Sequence, residues 1–69
     1  MNKAGIVSTV NTAEQTVRVT FPDRDNIVSG ELPVLKHAWD DLSPPVVGDY
    51  ALCAFTDRGF DKGFCVGFY

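Results

Sequence analysis

The sequence has 69 residues, a hydrophobic fraction of 45% and a charged fraction of 22%, which predicts one globular domain over residues 1–69 and excludes intrinsic disorder as the main interpretation. The formal net charge is −3, and the Lys and Arg residues are scattered, so the sequence lacks the clustered basic face typical of nucleic-acid-binding proteins. No run of about 18 apolar residues occurs, so no membrane insertion is expected. The N-terminal residues lack the long apolar stretch of a secretory signal, which makes synthesis in a cytosol the default.

Two strands are predicted in the N-terminal third. Residues Ala4 to Val10 are small or β-branched, and Gln15 to Phe21 alternate apolar with polar side chains at the period of a strand with one buried face. Residues 11–14 between them have the length and chemistry of a hairpin turn. The proline and acidic residues of Phe21 to Asn26 then predict a loop.

Three further strands are predicted. Residues Glu31 to Lys36 form the third, in which Pro33 indicates an edge position or a bulge because proline has no backbone N–H. Residues 37–48 form the longest connection, with room for one helical turn, and Asp49 to Thr56 and Gly63 to Tyr69 form the last two strands. Short strands at this spacing favour a barrel or sandwich, and five of them in so short a chain favour a closed barrel. The fold class predicted is all-β, a small five-stranded antiparallel barrel of the OB type.

The last two strands can be aligned as a hairpin symmetric about Gly59. The predicted cross-strand pairs are then Tyr50 with Phe68, Ala51 with Gly67, Leu52 with Val66, Cys53 with Cys65 and Ala54 with Phe64. One face carries the larger apolar residues and the other mostly small ones, and neither carries a charge. We therefore expect the barrel interior to cover one face and a neighbouring subunit to cover the other. The candidate subunit contacts are those of the small face: Ala51, Cys53, Phe55, Cys65 and Gly67.

Few residues in this sequence could carry chemistry. The two opposed cysteines could form a cross-strand disulfide, but a cytosolic origin favours free thiols that act as small hydrophobic residues. His37 is the only histidine, and the chain has no Ser-His-Asp or Cys-His spacing typical of nucleophilic catalysis. Two cysteines and one histidine do not complete a four-ligand zinc site. We therefore predict no catalytic residue, no metal site and no cofactor, and we expect the protein not to be an enzyme.

Two acidic segments and two aromatic residues need a separate interpretation. Residues 23–26 lack the glycine and terminal glutamate of a calcium-binding loop, and Asp40-Asp41 is a solvated or helix-capping pair. Trp39 and Phe60 lie in predicted loops and are the candidate exposed contact aromatics. Together with Arg18 they are also the residues that would bind single-stranded nucleic acid, which is the alternative function. The acidic composition places that alternative second.

An ordered set of motifs adds a more specific indication. It begins with residues 5–10 (GIVSTV), 16–23 (TVRVTFPD) and 29–35 (SGELPVL), continues with Trp39 and 45–55 (PVVGDYALCAF), and ends with 63–69 (GFCVGFY). This set resembles the N-terminal OB domain of phage baseplate assembly protein V, the spike protein of contractile phage tails and related injection machines. The resemblance covers essentially the whole chain in the right order.

The resemblance implies a five-stranded OB barrel that trimerises on the tail axis and mounts the spike on the baseplate hub. The expected partners are two further copies of the chain, the hub protein and a spike protein on a separate chain. The expected location is the tail baseplate of the virion, and the host cytoplasm during assembly. Since the sequence ends at Tyr69, we expect neither the β-helix nor the metal-binding His-x-His tip of that family. The remaining roles are a minimal spike base, a hub plug or an adaptor.

Overall fold

The alternating residues that predict strands do form strands in a computed structural model, which describes residues 2–56 and 62–69. The predicted all-β class is confirmed. The strands are β1 (Asn2–Asn11), β2 (Thr16–Phe21), β3 (Ile27–Val28), β4 (Leu32–Pro33), β5 (Tyr50–Phe55) and β6 (Gly63–Phe68). In the described part of the chain, the helical segments are two three-residue 3-10 turns, Pro22–Arg24 and Lys36–Ala38, so no described helix is long enough to cross a membrane.

The described strands form one sheet in the order β3-β2-β1-β5-β6, with β4 also paired to β2. All strand pairings in this sheet are antiparallel. The predicted five-stranded closed barrel is corrected to an open, six-stranded sheet. Its two ends approach through a single parallel bridge between Val34 and Cys65, beside a hydrogen bond of 3.0 Å from the Leu35 N–H to the Cys65 carbonyl. The segment that would close the sheet is short because the chain turns into the 3-10 segment immediately after it.

The region between β2 and β4 differs most from the prediction. The predicted strand from Glu31 to Lys36 is reduced to the two residues of β4, and Pro33 pairs with β2 alone. The additional strand β3 follows a turn in which Asp25 and Asn26 have left-handed φ angles of 58° and 59°. Asp and Asn enter this conformation more readily than most residues, which explains how the chain reverses onto β2 without glycine. The predicted loop begins one residue later than expected, since Phe21 is the last residue of β2, and residues 22–26 form the 3-10 turn Pro22–Arg24 and the turn after it.

A second turn places the start of β5. Gly48 has a φ of 100°, a conformation that side chains with a Cβ rarely adopt. The Asp49 carboxylate accepts a hydrogen bond of 3.0 Å from the Val46 N–H, and the Asp49 N–H donates to the Val46 carbonyl at 3.1 Å. Val7 exchanges backbone hydrogen bonds with this turn, at 2.8 Å to Asp49 and 2.9 Å from Gly48. The Val-Gly-Asp segment therefore joins the long connection to β1 and aligns β5 beside it.

The core lies on one side of this curved sheet. Phe21 from β2 and Phe55 from β5 meet edge to face, with ring centroids 5.7 Å apart. Gly5 in β1 allows close packing, because a Cβ there would lie 2.5 Å from the Thr20 carbonyl oxygen. The buried polar side chain of Ser29 accepts a hydrogen bond from the Val19 N–H and donates to the Gly30 carbonyl, so its burial is compensated. Among the described residues, the core cluster consists of Val7, Val17, Val19, Phe21, Leu32, Val34, Ala51, Cys53, Phe55 and Cys65.

Candidate interaction face on the C-terminal hairpin

The β5–β6 hairpin has the predicted register from Cys53 onwards along β5 and a different register at the residues that precede Cys53. Cys53 pairs with Cys65 and Ala54 with Phe64, as the symmetric alignment predicts. A bulge at Val66 then shifts the register, so that Leu52 pairs with Gly67 and Ala51 with Phe68. The predicted pairs of Leu52, Ala51 and Tyr50 are therefore wrong, because one additional residue on β6 moves every later partner by one position.

The small residues of this hairpin face the core. Ala51, Cys53 and Cys65 are fully buried and Phe55 is 4% exposed, all within the same cluster as the β2 side chains. The two faces are thus exchanged relative to the prediction, and these four side chains cover the chain's own interior. Gly67 lies on the opposite side, half-buried and paired with Leu52. A subunit contact on this hairpin stays a prediction, and its location moves to the opposite face.

The opposite face carries large apolar side chains on three adjacent strands. Leu52 has Ala4 of β1 on one side and Gly67 of β6 on the other. In the next row Tyr50 pairs with Ile6 of β1 and accepts a hydrogen bond of 3.0 Å from the Tyr69 N–H. Directly paired residues project to the same face of the sheet, so the side chains around Leu52 and those around Tyr50 form one continuous surface. We call this surface the outer apolar face; it consists of Ala4, Ile6, Tyr50, Leu52, Phe64 and Tyr69.

The exposure of the outer apolar face is large for residues of this type. Leu52 is 39% exposed, Phe64 43%, Tyr50 53% and Tyr69 73%. The Tyr50 and Tyr69 rings stack on each other at 5.6 Å with an interplanar angle of 21°. A Cβ built on Gly67 meets nothing within 4 Å, so the face has a notch beside Leu52.

This distribution is unusual for an exposed sheet face. An antiparallel sheet with one solvated face ordinarily places polar residues there, yet none of the six residues of the outer apolar face is charged. Contiguous exposed apolar patches on soluble proteins mark sites of interaction. A shallow groove at one end of the face, between Tyr50, Tyr69, Ile6 and Pro22, has Asp23 on its rim. The arrangement is suited to contact with another apolar protein surface.

The two cysteines lie beneath this face, fully buried in the core with free thiols, and whether they oxidise in solution stays a prediction. The hydrogen bond to Cys65, together with burial, raises the pKa of the Cys53 thiol far above its ordinary value of 9.0. The Cys65 thiol also donates to the Gly67 carbonyl at 3.7 Å. Both sulfur atoms are therefore held in a short chain of hydrogen bonds within the core.

The other residues singled out in the sequence do not gather at one site. Trp39 is half-buried against the core, and its indole N–H donates to the Asp41 carboxylate at 3.0 Å, so it is less available for contact than predicted. Asp40 accepts the Leu42 N–H at 2.9 Å within a turn, and no described helix begins there, so the helix-capping alternative for Asp40-Asp41 is wrong and the pair is exposed. Phe60 lies outside the described residues. Arg18 is exposed on β2. Within residues 2–56 and 62–69, no three His, Cys, Asp or Glu side chains lie close enough together to hold a metal ion.

The outer apolar face itself was only partly visible in the sequence. The symmetric alignment of the hairpin predicts Tyr50, Leu52 and Phe64 on its large apolar side, but it does not connect Ala4 and Ile6 with them. The signal was the absence of charge at alternate positions of both β1 and β5. Using it required the β1–β5 register, which joins residues more than forty positions apart in the sequence.

A scan of the sequence against models of known protein families finds no match, and a search of curated proteins finds no similar sequence. The resemblance to the phage baseplate family therefore remains a prediction from the ordered motifs.

Proposed function

We propose that this protein is a structural component of a phage tail baseplate or a related injection system. It acts as a homo-oligomer, a trimer, at the hub or the base of the central spike, where it mounts the spike or plugs the tail axis. The observation that carries the proposal is the outer apolar face, an uncharged and exposed surface on three adjacent strands. Its occupant is a second copy of this chain.

The topology supports the OB part of the proposal. An OB-fold is a partly open, five-stranded Greek-key barrel. Here β1 pairs with both β2 and β5, and the segment after β4 approaches β6 in parallel orientation through the Val34–Cys65 bridge. The short β3 is an additional strand at the edge of β2. These pairings support the OB part of the proposal, although the described sheet is open.

The energetics of a small domain also favour assembly. A chain of about 60 to 70 residues buries only about 60% of the surface that its unfolded form exposes. Covering Tyr50, Leu52, Phe64 and Tyr69 would remove further apolar area from water at each interface. Tyr residues are enriched at the well-packed centres of protein interfaces. Since none of its side chains is charged, burial of the face places no charged side chain in the interface.

The proposal is tested by introducing one charge into the face. In light scattering at micromolar concentration, the wild-type chain is expected to have three times the mass of one chain. Leu52→Asp buries a carboxylate at the interface and is expected to weaken assembly by roughly a hundredfold, leaving monomers. The matched control is Leu42→Asp, since Leu42 is 98% exposed and lies outside the face; it should assemble like the wild type.

Circular dichroism of both variants verifies that the sheet is retained. A wild-type chain that is monomeric throughout this range and does not bind hub protein contradicts the proposal. Equal loss of assembly in both variants contradicts the assignment of the interface to the outer apolar face, while leaving oligomerisation itself intact.

A further inference from the structure

The backbone hydrogen bonds identify the kind of pair that Cys53 and Cys65 form. The Cys65 carbonyl accepts the Leu35 N–H at 3.0 Å, so it points away from β5. The Thr56 N–H donates to the Lys62 carbonyl at 2.9 Å, so Thr56 and Lys62 form a hydrogen-bonded pair. Hydrogen-bonded and non-hydrogen-bonded pairs alternate along an antiparallel ladder. Cys53 and Cys65 lie three pairs further along and are therefore a non-hydrogen-bonded pair. Such pairs have Cα atoms about 4.5 Å apart, within the range that a disulfide spans.

The side chains meet as well as the backbones. Both thiols lie on the inner face at 0% exposure, and a hydrogen bond links them. Directly opposite residues in an antiparallel ladder project to the same side. No change of strand register is therefore needed to bring the two sulfur atoms together.

We propose that Cys53 and Cys65 are a dithiol site that takes a small-molecule disulfide, such as oxidised glutathione, as its oxidant. One protein thiolate attacks a sulfur of oxidised glutathione, which forms a mixed disulfide and releases one glutathione thiolate. The second protein thiolate attacks the protein sulfur of the mixed disulfide, which forms the Cys53–Cys65 bond and releases the second glutathione. The protein loses two electrons and two protons, and oxidised glutathione gains them to become two molecules of reduced glutathione.

The position of the pair determines how the reaction proceeds. Because both thiols are fully buried, the oxidant reaches them when β6 separates locally from β5. β6 lies at the end of the strand order, and on its far side Val34 forms a parallel bridge and Leu35 donates a backbone hydrogen bond to Cys65. The disulfide would therefore join the end strand β6 to its neighbour β5 and keep the outer apolar face intact against local opening.

The experiment compares disulfide formation in the folded and unfolded chain. The reduced full chain is equilibrated with mixtures of reduced and oxidised glutathione, once in buffer and once in guanidinium chloride, and then quenched with acid. Mass spectrometry distinguishes the internal disulfide, which is two hydrogens lighter, from mixed disulfides, and a non-reducing gel detects links between chains. The equilibrium constant for the internal disulfide is expected to be on the order of a hundredfold larger in the folded chain. A ratio of one or less, or mixed and interchain disulfides only, overturns the proposal.

A second measurement does not depend on any variant folding. The oxidised wild-type chain is expected to melt at a higher temperature than the reduced chain, and an equal or lower melting temperature also overturns the proposal. Cys53→Ala and Cys65→Ala are the matched controls, and the glutathione ratio should leave their melting temperatures unchanged. The outcome is independent of the proposed function, because it is measured on the hairpin of a single chain.

Discussion

The two faces of the β5–β6 hairpin contrast in size and exposure. The inner face is built mainly of small residues, and Ala51, Cys53 and Cys65 are fully buried. The outer face carries Tyr50 and Phe64, which are 53% and 43% exposed. If burial of the largest apolar side chains decided the arrangement, Tyr50 and Phe64 would face the core. In this hairpin, the volume that the other strands leave free in the core decides which face is buried, and the size of the hairpin's own side chains does not.

Side chains from other strands fill most of the core volume next to the hairpin. Phe21 and Leu32 are both fully buried in the cluster that includes the inner face of the hairpin. Protein interiors are packed as densely as organic crystals, so large side chains from one strand require small ones opposite. Tyr50, Leu52 and Phe64 are consequently left on the exposed side of the sheet.

A matched pair of phenylalanines tests the contrast with the largest expected effect. Phe55→Ala removes a ring that is 4% exposed and packs against Phe21, and it should lower the free energy of unfolding by about 3–5 kcal/mol. Phe64→Ala removes the same group from the outer face and should cost less than about 1.5 kcal/mol in the monomer. Denaturant unfolding at low protein concentration gives both values. Similar losses in the two variants would contradict the assignment of the faces.

The pH dependence of stability tests the inner face with a smaller effect. The pKa of Cys53 is raised in the folded chain above its ordinary value of 9.0, because of the hydrogen bond to Cys65 and burial. Its contribution to stability is therefore complete below pH 9.0 and is lost as the pH rises above that value towards the folded pKa, since only the unfolded chain releases the proton. Unfolding of the reduced chain across this range should show a steeper loss of stability than unfolding of Cys53→Ala. Parallel curves would show that the Cys53 environment does not favour the neutral thiol.

The smallest effect is expected at the notch in the outer apolar face. A Cβ at Gly67 meets no atom within 4 Å, so Gly67→Ala adds a methyl group without a clash in the single chain. The free energy of unfolding of the monomer should stay the same or rise by up to about 1 kcal/mol, because glycine is unfavourable in a strand. Thermal melting measures this change, and light scattering reports whether the proposed interface tolerates the methyl group. A clear loss of monomer stability would mean that the notch is filled in the folded chain.

Local patterns predicted the parts of the fold that depend on neighbouring residues. The alternation in residues 15–21 and the turn chemistry of residues 11–14 predicted β2 and the turn before it, and the segments for β1, β5 and β6 were also assigned correctly. The register of the last hairpin was correct at Cys53 and failed beyond the Val66 bulge, because a bulge leaves no periodic signal. The short β4 and the incomplete closure of the sheet depend on contacts distant in sequence, which alternation does not reveal.

The sequence by itself determined the all-β class, the positions of the long strands and the opposition of Cys53 and Cys65, since each follows from local periodicity and turn residues. The tertiary structure decided which face of the hairpin is buried, because that depends on Phe21 and Leu32 arriving from other strands. It also decided that β1 extends the exposed apolar surface through Ala4 and Ile6. A sequence that alternates large and small side chains indicates that a strand has two different faces. Which face is buried depends on how the strand packs against the rest of the chain.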